Sequence, residues 1–319
     1  MQLKSNDLKY NWIDNWITIP DPRRTPAGDA DGRTHGVAVS KTGDIFIFHQ
    51  ADPAMLRYDA QGNLKDSWGS EYPTAHGLTL VEEDGEERLW LVDTDTAEVV
   101  KTTLEGERLQ TIARPDHPGY ADGETYMPTW VAVNEKHFGG NGDIWLADGY
   151  GTGMIHRYNQ AGEYLATLTG EEGKGGKFNC PHGISFRFNG KDTGSGNELF
   201  IADRGNKQIQ VYSSEGQFKR AFGSDVLNSP CVVAFHGDRL VIPELYARVA
   251  ILESDGRLVG YVGENESAKD LKGWPNVAAS DIHPGKLNSP HGLAVDADGN
   301  LFVVEWIIGG RVTKLATSS

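Results

Sequence analysis

The sequence predicts an all-β fold, a six-bladed β-propeller that spans residues 1–319 as a single domain. Six segments share a short β-branched run, a turn rich in Gly, Asp and Asn, and a second apolar run, which is typical of a β-hairpin. Equivalent positions in these segments recur at spacings of 41 to 60 residues, the period of a four-stranded blade. No amphipathic helix interrupts them, which disfavours a parallel α/β fold.

The six hairpin segments define the blades in chain order. They are THGVAVSKTGDIFIFHQ, AHGLTLVEEDGEERLWLVDT, PTWVAVNEKHFGGNGDIWLADG, PHGISFRFNGKDTGSGNELFIADR, PCVVAFHGDRLVIPEL and PHGLAVDADGNLFVVEW. In most blades a third run, a Gly-containing turn and a fourth run follow. The sixth blade lacks a fourth strand before Ser319. We therefore expect the N-terminal stretch YNWIDNWITIP to supply that outer strand and close the ring, because closure hides the sheet edges.

Composition narrows the classes of function. The formal net charge of −15 argues against nucleic acid and against an anionic membrane surface as partners, and leaves a small-molecule substrate open. The N-terminus has no apolar signal-peptide core, and no run approaches the length of a membrane span. With only two cysteines, no disulfide framework is indicated. These features predict a cytoplasmic protein and leave its oligomeric state open.

The start of each first strand is expected to face the propeller axis. Alignment of the segments places six residues on this ring: His35, His76, Thr129, His182, Cys231 and His291. His76, His182 and His291 belong to alternate blades, so their imidazoles are expected to converge on one axial point. Three His ligands with an open fourth position are typical of catalytic zinc, although imidazole also suits copper, iron and nickel. Alternatively, the His-Gly pair only shapes the entry to the strand, since His35 carries the same motif in an odd blade.

A second ring is expected where each second strand ends. It contains His49, Asp93, Asp148, Asp203, Glu244 and Glu305. For the aspartates we favour a structural role, because a carboxylate accepts several backbone N–H bonds of a neighbouring turn. His49 departs from the acidic pattern and is therefore a functional candidate.

The repeat resembles the NHL repeat, best in NELFIADRGNKQIQVYSSEGQF. The chain also resembles the lyase domain of peptide amidation, peptidyl-α-hydroxyglycine α-amidating lyase. This resemblance implies a six-bladed NHL propeller that cleaves an α-hydroxyglycine into an amide and glyoxylate, with a central zinc and a structural calcium. It implies zinc ligands at His76, His182 and His291, in the phrases AHGL, PHGI and PHGL. It further implies a catalytic tyrosine at Tyr150, in ADGYG, and an active-site arginine at Arg204, in ADR.

The chain departs from this family at two site positions. Where the family has the phrase Phe-His-Arg-Gly-Asp, this chain reads FHQAD, so Gln50 replaces an arginine and the native substrate is expected to differ. Where the family has a calcium-binding aspartate, this chain has Gly292. Only the backbone carbonyls of Val37 and Leu78 are then left as candidate calcium ligands.

The leading functional hypothesis is a metal-dependent carbon–nitrogen or carbon–oxygen lyase that acts on a small α-hydroxy, carbinolamide-like substrate. Tyr150 would be the general base, Arg204 would bind a carboxylate, and His49 or Gln50 would orient the substrate. The same trio of histidines also fits a metal-dependent hydrolase of the lactonase type, or a hydratase. A further alternative is a non-catalytic NHL propeller that binds a protein partner, for which three axial imidazoles have no use.

Overall fold

The computed structural model describes residues 2–5, 8–20, 31–121, 123–189 and 196–318. Within these ranges the strands in chain order are β1 Gln2–Ser5, β2 Leu8–Ile13, β3 Thr34–Val39, β4 Ile45–His49, β5 Met55–Tyr58, β6 Leu64–Trp68, β7 Ala75–Glu83, β8 Glu86–Asp93, β9 Glu98–Thr102, β10 Arg108–Thr111, β11 Trp130–Val133, β12 Ile144–Asp148, β13 Met154–Tyr158, β14 Tyr164–Leu168, β15 Pro181–Arg187, β16 Glu198–Asp203, β17 Gln208–Ser213, β18 Phe218–Phe222, β19 Ala234–His236, β20 Arg239–Glu244, β21 Arg248–Leu252, β22 Leu258–Val262, β23 Pro290–Val295, β24 Leu301–Glu305 and β25 Arg311–Thr317.

The helices of the described ranges are single 3₁₀ turns: Pro118–Tyr120, Lys136–Phe138, Arg204–Asn206, Ala268–Asp270 and Ala279–Asp281. None of them has the length and apolar character that crossing a membrane requires. The all-β class predicted from the sequence is confirmed.

The strands form six antiparallel sheets: five consist of four consecutive strands each, and the sixth combines β23, β24 and β25 with the N-terminal strands β1 and β2. The chain is thus a six-bladed β-propeller, as the sequence predicts. Its contacts divide it into two compact units, which we call the first unit, residues 1–75 and 226–319, and the second unit, residues 76–225. Each unit holds three blades. That the whole chain behaves as one domain stays a prediction.

The second unit contains the second, third and fourth blades, with strand orders β10-β9-β8-β7, β11-β12-β13-β14 and β15-β16-β17-β18. A core between the second and third blades includes Trp90, Val92, Leu146 and Tyr158. The first unit contains the blades β3-β4-β5-β6 and β19-β20-β21-β22, and the sheet β1-β2-β25-β24-β23.

The last sheet confirms that an N-terminal strand completes the sixth blade. Strand β2 pairs antiparallel with β25, so that Trp12 lies opposite Leu315 and Tyr10 lies opposite Thr317. The structure adds β1, a fifth strand that the sequence did not predict, on the outer side of β2. Tyr10 and Trp12 are buried in a core that also contains Val259 and Leu315.

Burial falls from the inner to the outer strands of a blade. Every residue of β4 is buried, whereas four of the five residues of β6 are exposed. Strand β4 is covered on both faces, which suits its almost entirely apolar sequence IFIFH. Strand β6 is exposed, which suits the charged residues of its sequence LKDSW. The turn between the third and fourth strands needs a glycine: Gly62 has a φ of +87° and donates its N–H to Asp59.

Candidate active site

The His-Gly pair at the start of β7 fixes an imidazole against the next blade. His76 Nδ1 lies 2.9 Å from the carbonyl oxygen of Thr129, which can only accept, so Nδ1 carries the proton. A Cβ at Gly77 would lie 2.3 Å from the same carbonyl oxygen, so only glycine allows this approach. The result is a buried His76 whose Nε2 presents a lone pair.

The first unit repeats this arrangement at the start of β23. His291 Nδ1 lies 3.2 Å from the carbonyl oxygen of His35, and a Cβ at Gly292 would lie 2.3 Å from that oxygen. The rings of His35 and His291 meet edge to face, with centroids 4.5 Å apart. The close contact explains why position 292 is glycine and not the aspartate that the resemblance associates with calcium. Val37 and Leu78 are buried strand residues, and their role as calcium ligands stays a prediction.

Tyr150 brings two of the predicted metal ligands together in the second unit. Its phenol oxygen lies 3.1 Å from Nε2 of His76 and 2.9 Å from Nε2 of His182. The two imidazole centroids are 4.8 Å apart, and both rings are buried. Tyr150 itself is 36% exposed, so a substrate can reach it from solvent.

Arg204 also contacts the phenol of Tyr150. Its Nη1 donates to the Tyr150 oxygen at 3.3 Å, and its guanidinium carbon lies 5.1 Å from the centre of the tyrosine ring. Its Nη2 donates to Cys180 Sγ at 3.2 Å. Burial raises the pKa of the Cys180 thiol, with a smaller opposing effect from Arg204, so Cys180 packs here as a neutral group. The prediction that Arg204 binds a carboxylate stays a prediction.

Electrostatics keep the central imidazole neutral. The pKa of His76 is lowered to about 3, mainly by burial; the bond to the Thr129 carbonyl opposes this change, and the positive charge of Arg204 contributes a smaller part of it. A neutral imidazole with its Nδ1–H on a carbonyl is the form that binds a metal through Nε2.

In the first unit, the buried His35 and His291 offer imidazole nitrogens of the kind that bind a metal ion. In the second unit, the buried His76 offers another. His182, also predicted as a ligand, offers the Nε2 that contacts Tyr150. The donor chemistry fits a transition metal of the zinc type, because imidazole nitrogen is a preferred ligand of these ions.

The acids of the second ring end their strands and bind the neighbouring loops. Asp148 accepts N–H bonds from Met127 at 2.7 Å and Thr152 at 2.8 Å, and the Tyr120 hydroxyl at 2.8 Å. Asp203 likewise accepts from the Asn179 N–H at 2.8 Å. These contacts are the structural role that the sequence indicated.

His49 and Gln50 belong to the first unit and stay untested as substrate contacts. His49 Nε2 donates to the carbonyl of Pro53 at 2.8 Å, and burial lowers the pKa of His49 to about 4 despite that bond. The backbone N–H of Gln50 donates to the carbonyl of Arg33 at 2.9 Å.

Sequence reasoning placed Trp306 at the mouth of the propeller, but it missed Trp130 and the contact between Trp306 and Arg33. Trp130 lies 6.2 Å from the His76 ring and 6.3 Å from the His182 ring, centroid to centroid. Trp306 lies 4.7 Å from the guanidinium carbon of Arg33. The signal for Trp130 was available, since it follows directly the ring position of Thr129; no pattern linked Arg33 to Trp306.

The six-bladed propeller has relatives that are named as amidating lyases and as NHL repeat-containing proteins. The chain is 24% identical over 310 residues to a probable peptidyl-α-hydroxyglycine α-amidating lyase of Caenorhabditis elegans, which covers 85% of this chain and 79% of the relative. It is 27% identical over 250 residues to human NHL repeat-containing protein 3, covering 73% and 68%. No family model matches the chain. The resemblance to both groups is thereby confirmed.

Solved structures show the same fold. A streptogramin B lyase superposes with a TM-score of 0.62 over 99% of this chain and 100% of that chain, at 14% sequence identity. At this identity the likeness supports the propeller fold and carries no information on the substrate.

Proposed function

We propose that this protein is a metal-dependent lyase that acts on a small α-hydroxy substrate of the carbinolamide type, with Tyr150 as general base. The observation that carries the proposal is the position of the Tyr150 oxygen, about equally distant from Nε2 of His76 and of His182 and bonded to Arg204. The names of relatives such as the amidating lyase of Caenorhabditis elegans support this class of substrate.

The residues proposed to hold the metal are His76, His182 and His291, with His35 as an alternative ligand. The neutral state of His76 and the carbonyl partners of two Nδ1 atoms suit this role. A bound divalent ion supplies Lewis-acid polarisation of a substrate hydroxyl or carboxylate.

Tyr150 is proposed to move the proton. Its phenolate oxygen takes the proton of the substrate hydroxyl, the C–O bond becomes a carbonyl, and the C–N bond breaks. The electron pair of that bond goes to the amide nitrogen, which takes the proton back from Tyr150. The products are an amide and an aldehyde acid, and no further reactant is required. Arg204 stabilises negative charge on the phenol oxygen by donating to it.

A single set of variants tests the proposal with an N-acyl-α-hydroxyglycine as substrate. Tyr150→Phe is expected to lower kcat about 100-fold or more, since a positioned base contributes about that factor. His182→Ala is expected to lose most of the bound transition metal, measured by mass spectrometry of the purified protein. Tyr150→Phe should keep the metal, because it removes only the hydroxyl.

Tyr246→Phe is the matched control for the tyrosine. Tyr246 follows the second strand of the fifth blade, and its exposure of 38% is similar to the 36% of Tyr150, but its ring packs on Trp274. It should retain wild-type kcat. Full activity of Tyr150→Phe would eliminate Tyr150 as the base, and wild-type protein without metal after growth in supplemented medium would eliminate the metal-dependent lyase.

A further inference from the structure

Arg33 carries a largely buried cation just before strand β3 in the first unit. Only 12% of its side chain is exposed. The guanidinium lies over Trp306, 4.7 Å from the ring centre, and its Nε donates to Asp31 at 3.0 Å. The Asp31 side chain is 50% exposed, so this ion pair is half in solvent and compensates the charge weakly.

One donor of this guanidinium has no partner. Nη1 of Arg33 is buried and makes no hydrogen bond within the described part of the chain. A buried donor without an acceptor is rare and costs free energy, more so when the donor is charged. Trp306 packs on the guanidinium, so this unpaired donor is held in a fixed plane.

The surroundings of Arg33 connect it with the histidines of the first unit. Its carbonyl accepts the N–H of Gln50 at 2.9 Å, so the uncharged Gln50 and the charged Arg33 lie opposite each other just beyond the paired strands β3 and β4. Trp306 also packs on the His35 ring, at 6.5 Å between centroids, and His35 packs on His291. Arg33, Gln50 and Trp306 are all partly exposed.

We infer that Arg33, backed by Trp306, is a carboxylate-binding subsite that holds the anionic group of the substrate. A guanidinium recognises a carboxylate through charge-assisted hydrogen bonds, and Nη1 has such a bond to offer. A singly charged group fits better than a phosphate dianion, because the Asp31 carboxylate already lies on Nε. The inference rests on the proposed function only in naming the substrate as the source of the carboxylate.

The test measures binding of glycolate, a small α-hydroxy carboxylate, to the purified full-length protein by titration calorimetry. Arg33→Gln is expected to weaken binding about tenfold or more, as loss of a charge-assisted hydrogen bond implies. Arg33→Lys keeps the charge and should lose less. Binding should also change the fluorescence of Trp306, and this signal should vanish in Trp306→Phe.

The matched control is Arg257→Gln. Asp255-Gly256-Arg257 repeats the tripeptide Asp31-Gly32-Arg33, and Arg257 Nε donates to Asp255 at 2.9 Å. Its side chain is 75% exposed, so it offers the same charges without the burial. Glycolate binding should be unchanged in this variant. Thermal melting of each variant separates a lost subsite from a lost fold.

Two outcomes would overturn the subsite: glycolate does not bind the wild-type protein, or it binds folded Arg33→Gln as tightly. Turnover of the α-hydroxyglycine substrate is measured on the same samples. If glycolate binding depends on Arg33 but the substrate is not turned over, the subsite is supported and the proposed lyase activity is contradicted. If the substrate is turned over but glycolate binding does not depend on Arg33, only the subsite is contradicted.

Discussion

The two nitrogens of His76 have separate tasks. Nδ1 is committed to the Thr129 carbonyl, and Nε2 faces the Tyr150 phenol. The repeat of the first contact at His291 and His35 shows that the His-Gly pair serves packing, and the proposed chemistry would use the other nitrogen of the ring. The structural and the functional interpretations of this motif are therefore compatible, because they use different atoms of one ring.

Gly77→Ala is expected to destabilise the protein by about 2 kcal/mol or more, since its Cβ would lie 2.3 Å from a backbone oxygen that cannot rotate away. The same change should displace His76 and reduce bound metal. The free energy of unfolding from urea titration and the metal content check both expectations.

Gly85→Ala is the control for that substitution. Gly85 has a φ of +84°, and nothing lies within 4 Å of an added Cβ. The change should cost only about 1 kcal/mol of backbone strain and leave the metal in place. Equal losses in both variants would show that the close contact at Gly77 is unimportant.

His156 makes stability depend on pH. Burial, with a smaller effect of His117, lowers the pKa of His156 to about 3. Tyr120 O–H donates to Asp148, so His156 Nε2–H donates to the Tyr120 oxygen at 2.7 Å, and Nδ1 accepts from Thr167 at 2.9 Å. A neutral ring satisfies this chain of bonds.

Between pH 6.5 and about 3 the unfolded chain binds a proton at His156 that the folded chain does not. Stability is therefore expected to fall as the pH falls through this window, by up to about 1.4 kcal/mol per pH unit for this group. In His156→Gln, the free energy of unfolding should depend less steeply on pH between pH 4 and 6, and the difference should correspond to the uptake of about one proton on unfolding. His283→Gln, at an exposed histidine, should leave this pH dependence unchanged. An unchanged pH dependence in His156→Gln would contradict the assignment of the effect to His156.

At the scale of the element, the second strand of each blade positions a polar residue at its last position. Strands β12 and β16 end at Asp148 and Asp203, whose carboxylates tie down the loops that precede the first strands. Arg204 follows β16 directly, and Tyr150 follows β12 by two residues. The candidate catalytic residues thus lie on loops held by a rigid strand end.

Strand β2 is the element whose loss should matter most for the sixth blade. Trp12 is 5% exposed, pairs with Leu315, and lies 5.6 Å from the Arg311 guanidinium. Trp12→Ala is expected to lower the free energy of unfolding by about 3–5 kcal/mol, the usual range for a buried aromatic.

Ile13→Ala is the control on the same strand. Ile13 is 41% exposed and points away from the core that contains Trp12. It should change the free energy of unfolding by less than about 1 kcal/mol, measured by urea titration. If both variants lose the same stability, β2 does not owe its place to the burial of Trp12.

At the scale of the whole molecule, the repeated sequence pattern allows the architecture to be predicted from the sequence. Hairpin patterns, glycine turns such as that at Gly62, and the missing strand of the sixth blade are local or periodic features. They predicted the six sheets and the pairing of β2 with β25, both of which are confirmed. Only strand β1 was not predicted, since Gln2–Ser5 has no alternation of apolar and polar residues that would indicate a strand.

The sequence by itself determined the blade count, the closing strand and the residue types at each strand start and end, because these follow from short-range periodicity. Only the tertiary structure decided that Tyr150, 74 residues from His76 and 32 from His182, meets both imidazoles, and that Arg204 is turned toward that phenol. It also left Nη1 of Arg33 without a partner in the described chain. Such contacts join loops of different blades, and their distances depend on how neighbouring sheets pack, which no local pattern encodes.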